Sequence, residues 1–302
     1  MKILLGCLCF LWELTAYGQD PNEMLKDYSK VDHISALIHQ KHFAEAHMEY
    51  LSINRAELLS PYQCFFFADA FIKVNDTVLC TKLLNRAFAK GATWEWLESY
   101  KDVKRILTKA DSLYYSNTIK EARCKLDINL YCQLGAMLDT EQFIRRKWLK
   151  TRDTVYLRAM KELDSMNAIA IFKIIDEHGW LGYNTYQLEE KLMPIFLHIT
   201  SQSLDSVQFQ QYRKKIFEEV LRGEMQPATY AVWVDRYYKF NLNKPEVYGT
   251  FWSQTDAGKE LLQGVENPEK IDEIRAAIGL STLEDYMEVN EKSIRPSWYK
   301  KK

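Results

Sequence analysis

The stretch Tyr230-Ala231-Val232-Trp233-Val234-Asp235-Arg236-Tyr237-Tyr238 decides the fold. At about 100° per residue its apolar and aromatic side chains cover every side of a helix, which is how a helix buried all round reads. Asp235 and Arg236 therefore sit where water is scarce, and a buried charge stays ionised only when it is partnered. The two point about 100° apart, so each is expected to meet a residue from another element. Nowhere does the sequence alternate apolar and polar residues with period two over a run of β-branched side chains, so little or no sheet is expected. Gly (11) and Pro (7) are too scarce for the many turns of an all-β chain. The expected fold class is all-α.

Outward from this helix, 3.6-residue periodicity predicts further helices near 119–137, 140–150, 154–178, 186–199, 206–222, 268–278 and 281–290, with this one over 227–240. Gly179 reads as the cap of the long helix that ends at 178. In the first third of the chain an offset of 34 residues aligns Leu37 with Phe71, Ala46 with Cys80 and Tyr50 with Leu84. That is the period of tetratricopeptide helix hairpins, and the aligned positions are mostly the small and apolar ones where two such helices touch. Pro61 suits a helix start, Asn75-Asp76 a turn into the next helix, and Gly91 a C-terminal cap. One period further on stand Arg105, Tyr114 and Thr118, so a third unit is not expected, and two hairpins should pack on the helices C-terminal to them. The expected organisation is a signal peptide over 1–18, tetratricopeptide-like hairpins over 19–117, a larger helical domain over 118–290 and a basic tail over 291–302.

A chain of 302 residues that is 47% hydrophobic fills a sizeable core, which excludes wholesale disorder. Its 40 Lys and Arg against 41 Asp and Glu give no long-range field toward nucleic acid or anionic lipid, so no nucleic-acid partner is expected and any charged partner is met locally. Lys2, the apolar run Ile3 to Trp12 and the small residues Ala16 and Gly18 form an export signal, with the mature chain expected to begin at Gln19. That run is about half of the ~20 residues needed to span a bilayer, and no later stretch is long enough, so no transmembrane segment is expected in the mature chain. Export permits disulfides between Cys64, Cys80, Cys124 and Cys132, but the spacing demands none. Cys124 and Cys132, eight apart on one expected helix, are too distant to bridge, and buried free thiols are the expectation. There is no C-x-x-C and no H-E-x-x-H, so neither metal nor cofactor is expected.

Polar residues on apolar faces mark the candidate site. Asn167 interrupts the stripe Met160, Leu163, Ala170, Ile171 and Ile174, with Asp164 one turn earlier, and a buried Asn needs hydrogen bonds. His198 stands at the edge of the face formed by Leu192, Ile195, Phe196 and Ile199. Asp139-Thr140-Glu141-Gln142 reads as a capping box, with Arg145 one turn on at the head of a basic run through Arg152. The tight loop from Lys244 to Thr250 carries Tyr248 and a hydroxyl, and Arg275 precedes Gly279-Leu280 as a candidate partner for Asp235. No G-x-S-x-G, G-x-x-x-x-G-K or G-x-G-x-x-G is present.

Glu141-Gln142 with Arg145, Asn167 with Gly179-Trp180, His198, Gly223-Glu224, Asp235-Arg236, Tyr248-Gly249-Thr250, and Arg275 with Gly279-Leu280 and Tyr286 resemble, in order and spacing, an uncharacterised bacterial domain family. That family is known only as a domain of unknown function and occurs in exported bacterial proteins, sometimes behind tetratricopeptide-like repeats. The resemblance spans about residues 125–290 and implies that these polar residues form a shared site. It brings no substrate. Family members often carry glutamines where this chain has Glu246 and Phe251, which implies a copy that binds without turnover if those glutamines serve a reaction. Two functions are weighed. One is an exported binding or interaction protein that takes an unknown small molecule or protein in a polar pocket lined by Gln142, Arg145, Asn167, Arg236, Tyr248, Thr250 and Arg275. The other is an enzyme of hydrolase type with His198 as general base, oriented by Asp235, and Arg145, Arg236 or Arg275 holding an anionic group; a purely structural reading instead has all these charges satisfied internally with no cavity.

Overall fold

The computed structural model describes residues 20–290 except 108, 125, 186, 200–203, 255–259 and 263. The expected signal peptide and basic tail lie outside the described residues. Among those described, fourteen α-helices follow one another: α1 Pro21–His39, α2 Phe43–Tyr50, α3 Pro61–Phe71, α4 Thr77–Ala89, α5 Trp94–Leu97, α6 Lys101–Ile106, α7 Lys109–Cys124, α8 Ile128–Thr151, α9 Thr154–His178, α10 Glu189–Ile199, α11 Ser206–Leu221, α12 Pro227–Phe240, α13 Ile271–Ala276 and α14 Leu283–Val289. One antiparallel pair of three-residue strands, β1 Trp252–Gln254 and β2 Glu260–Leu262, sets Trp252 opposite Leu262. The fold is all-α.

Side-chain caps set seven of the described helix starts. Ser60 and Gln63 close a capping box on α3 with Pro61 in its first turn, and Asp76 caps α4 after Asn75 turns left-handed. Asp153 caps α9, and Gly179 ends it at a φ of 75°. One break falls elsewhere than the sequence suggests. The helix expected to start near 140 is the middle of α8, and the chain breaks instead before Asp127, whose carboxylate caps α8 by accepting from Asn129 and Leu130 N–H groups. Asp139-Thr140-Glu141-Gln142 is thus no cap. Its residues lie in mid-helix, which frees Glu141 and Gln142 for other contacts.

The apolar interior has two large clusters, and α1 belongs to both. Val31, Ile34, Leu37 and Ile38 join α2–α4 in a core that also holds Ala46, Phe71 and Cys80 and extends to Tyr115 and Ile119 of α7. Met24, Leu25 and Tyr28, from the first two turns of the same helix, join Phe196, Phe209, Trp180 and Trp233 of α9–α12. The boundary expected at 117/118 accordingly falls inside α7, whose Ile119 still packs on the first core. The C-terminal end of the chain also returns to α1. Ser29 Oγ donates to Leu280 O at 2.5 Å, and Gly279, at a φ of 85°, presses so near that an added Cβ would stand 3.1 Å from Tyr28 Cβ.

All four described cysteines are free. Cys64 and Cys80 are buried as expected, but Cys124 and Cys132 are exposed, one ending α7 and the other in the second turn of α8. The two therefore do not share a helix. No helix among the described residues is long and apolar enough to cross a membrane.

Between the two cores, Glu189 at the start of α10 is 3% exposed. Burial, with nearby Glu224 adding to it, pushes its carboxyl up to about 8. Between the ordinary carboxyl pKa of 4.5 and that value, the folded chain holds a proton that the unfolded chain has released, so this group makes stability fall as pH rises. Glu189→Gln is expected to unfold at the wild-type temperature at pH 4.5 and at least ~3 °C higher at pH 8.5, the shift that about 1 kcal/mol produces in a domain of this size. Thermal unfolding followed by circular dichroism checks it, and equal melting temperatures at pH 8.5 would contradict the assignment.

Candidate functional site

Asp235 lies on the buried side of α12 with no exposed surface. Its Oδ1 accepts from Val247 N–H at 2.7 Å and Tyr248 N–H at 2.9 Å, and its Oδ2 accepts from Thr250 N–H at 3.0 Å and Thr250 Oγ1 at 2.8 Å. Burial raises the carboxyl above its ordinary range, and these four hydrogen bonds pull against it. Arg275, 1% exposed, fixes the far side of the same loop by donating from Nη1 to Tyr248 O and from Nε to Ser281 O, both at 2.8 Å. Its guanidinium lies over the Tyr286 ring, and Tyr286 Oη donates to Thr250 O at 2.9 Å. Glu246 secures the next turn, its Oε2 accepting from Phe251 N–H at 2.8 Å. Burial pushes the Glu246 carboxyl up to about 7, and Lys239 Nζ at 3.6 Å offers charge but no hydrogen bond.

The neighbouring residue faces a second cluster. Arg145 of α8 bonds Glu141 one turn earlier through Nε and reaches Asp164 of α9 through Nη2 at 2.6 Å. Glu141 is 1% exposed, accepts from Gln142 Nε2 at 2.6 Å, and has His198 Nδ1 of α10 at 2.6 Å from its Oε1. That approach lies off the line of a ring N–H, so it is a close polar contact rather than a formed hydrogen bond. Burial alone would raise the Glu141 carboxyl, but His198 and Arg145 outweigh it and hold the group below its ordinary value. At Asp164 burial wins over Arg145, and the carboxyl is raised. Three helices are thus joined by one arginine and one glutamate, with Arg145 and His198 partly open to solvent.

Arg236 completes this cluster without an acid of its own. It is half-buried, its Nε has no acceptor, and its guanidinium lies 5.3 Å from the Phe240 ring centroid and 5.7 Å from that of Phe251. Burial and the like charge of Arg145 lower its pKa, with Asp164 opposing them. Asn167, one turn after Asp164 and 4% exposed, also has a side-chain N–H group without an acceptor. The cluster therefore gathers donors in excess of acceptors, a composition suited to an anion.

The sequence-derived residues separate into two groups. Arg145 and Gln142 in the body of α8 meet His198 in the last turn of α10 and Arg236 in the second half of α12, with Asn167 following on α9. Tyr248, Thr250 and Arg275 instead converge on Asp235 and are all buried. Asp235 does not meet His198 as the hydrolase reading expected, because both its oxygens are committed to the loop and Glu141 takes the place beside the imidazole. Arg275 serves carbonyl oxygens rather than pairing directly with Asp235. Arg213, not singled out from the sequence, donates to Tyr230 Oη at 3.3 Å and Tyr248 Oη at 3.4 Å. Glu141 was legible as an i, i+4 partner of Arg145, a spacing that the capping-box reading obscured.

Among the described residues no group of three His, Cys, Asp or Glu side chains is placed to hold a metal ion. A cavity of about 400 Å³ opens elsewhere, between Trp180, Lys215, Glu219, Arg222 and Glu224, and no member of the arginine cluster lines it. Compared with models of known families, with curated proteins and with solved structures, the chain matches none.

The loop's dependence on one carboxylate fixes an expectation. Asp235→Ala strands three backbone N–H groups and a hydroxyl, at about 1–3 kcal/mol each before the loop relaxes, so a net loss of about 3–5 kcal/mol is expected. Thr250→Val, which removes one of the four, is expected to cost about 1 kcal/mol. Urea unfolding measures both, and a loss for Asp235→Ala no greater than that for Thr250→Val would remove the clamp from the account.

Proposed function

We propose that the protein is an exported binding protein whose C-terminal helical domain takes a small anionic ligand at the cluster of Arg145, Arg236, Asn167 and His198. The observation that carries this reading is the half-buried Arg236, whose Nε has no acceptor and whose guanidinium, near Asp164, forms no ion pair with it among the described residues. Arg145 already serves both nearby acids, Glu141 and Asp164. A desolvated cation without a counter-charge costs stability in the empty protein, and an incoming carboxylate or phosphate offsets that cost. Phe240 and Phe251 flank the guanidinium and hold its plane, which suits two-pronged recognition of a planar or tetrahedral anion. The likeness to the uncharacterised exported family supports the same place, since Glu141, Gln142, Arg145, His198 and Arg236 all belong to the residues that carry it. On this proposal Tyr248, Thr250 and Arg275 shape the site from behind.

A second reading has one observation in its favour. The contact between His198 and Glu141 sets an imidazole beside a carboxylate at 2.6 Å, a pairing that orients a general base once the ring N–H turns onto the oxygen. In a hydrolase of this kind Glu141, rather than Asp235, would orient His198.

The binding reading is tested with inorganic phosphate and acetate as ligands. Either anion is expected to raise the melting temperature of the wild type, and Arg236→Gln is expected to abolish that rise while the anion-free variant melts no lower than wild type. His198→Gln is expected to change the anion response with little effect on anion-free melting. An Arg236→Gln protein that responds to both anions as wild type does, or that is strongly destabilised without them, would refute the site.

A further inference from the structure

Glu141 on α8 and Asp164 on α9 are the last buried residues before the turn that joins the two helices, and no side chain from 142 to 163 is buried. Each limb of this hairpin runs about 15 Å past the core at ~1.5 Å per residue. The turn itself is two residues, Arg152 in the left-handed region and Asp153 capping α9. Such an arm leaves its side chains open to whatever lies outside the chain.

Its composition says what. Within 142–163 there are seven Lys and Arg against two Asp and Glu, a net charge of +5 that leaves −6 for the rest of a chain whose total is −1. Among these charges stand large apolar side chains that water should have excluded: Phe143 is 52% exposed, Leu149 57% and Val155 60%. Leu149, Val155 and the half-exposed Trp148 lie within one turn of the hairpin's end. The basic stems lie along aromatic faces, Lys147 Nζ 5.4 Å from the Phe143 ring centroid and the Arg152 guanidinium 4.6 Å from that of Trp148. Apolar and aromatic groups at a tip, ringed by cations on long stems, are the pattern of a segment seated in the headgroup layer of a bilayer.

We propose that the α8–α9 arm docks on an anionic lipid surface, its end seated among the headgroups and its Lys and Arg residues on the lipid phosphates. A second copy placed symmetrically on the same face would set two arms of like charge together. A soluble polyanion would satisfy the cations and leave Leu149 and Val155 in water. The net −6 carried by the rest of the chain favours approach through a basic segment such as this arm.

The test is co-sedimentation of the protein with vesicles of phosphatidylglycerol and phosphatidylcholine, and with vesicles of phosphatidylcholine alone. Binding only to the first is expected. A triple change, Lys147→Gln, Lys150→Gln and Arg152→Gln, is expected to weaken partition about a hundredfold, at about fivefold for each basic side chain. A double change, Leu149→Ser and Val155→Ser, is expected to weaken it at least about fivefold. All five side chains are exposed, so circular dichroism should match wild type in both variants. Failure to bind the anionic vesicles overturns the proposal, as does binding unchanged by the triple variant. Binding lost in the triple variant but kept in the double variant marks a general polyanion site and overturns the lipid assignment.

Discussion

The carboxylate of Asp235 is the constraint on which the C-terminal half depends. It sits inside a helix apolar on all sides, so it cannot be solvated by water and must be solvated by protein. The chain meets this by bending the segment after α12 back on the helix, so that three backbone N–H groups and a threonine hydroxyl point at two oxygens. A loop that donates so many amides inward leaves carbonyls to be met from the other side, and Arg275 does this for Tyr248 and Ser281. The same exchange docks α13 and α14, whose neighbouring Gly279 and Leu280 close against α1. A requirement at one side chain thus propagates through a loop and two short helices to the first helix of the fold.

Because α1 contributes to both apolar clusters, the halves of the molecule are not independent units that happen to touch. Val31 to Ile38 serve one core and Met24 to Tyr28 the other, along a single rigid element of 19 residues. The buried Glu189 beside this junction is a cost tolerated there, since burial opposes its ionisation and Glu224 adds to that. Removing α1 would open both cores at once.

Much of the architecture was legible in the sequence because helices advertise themselves through periodicity and caps. The all-round apolar stretch at Tyr230 to Tyr238 is a buried helix, and Pro61, Asn75-Asp76 and Gly179 stand where helices begin, turn and end. The error at 139–142 has a physical source. Asp, Thr and Glu in that order satisfy a cap and an interior helix equally well, and only the partners Arg145 and His198 decide between them. Those partners lie four residues away in one case and fifty-seven in the other, and sequence reports the first distance far better than the second. Likewise Asp235 could be recognised as needing polar company, but that its company would be backbone amides was invisible, since every residue carries an amide.

The place where the core ends explains how the arm and the arginine cluster come to adjoin. A helix hairpin normally holds together by burying apolar side chains between its limbs, and α8 and α9 do so through Leu130 and Leu134 on one side and Ile171 and Ile175 on the other. Past Glu141 and Asp164 that means is exhausted, because no side chain there is buried. Arg145 takes over at this point, tying Glu141 on its own helix to Asp164 on the next with a planar group that reaches both. The partial desolvation that makes such a tie effective also raises the cost of any further charge nearby. Arg236 is that further charge, brought within electrostatic reach of Arg145 by the same α12 whose other face is fixed by Asp235. The clamp on the loop, the tie across the hairpin and the uncompensated arginine are consequences of one packing arrangement, in which α12 must hold two adjacent charges pointing in different directions.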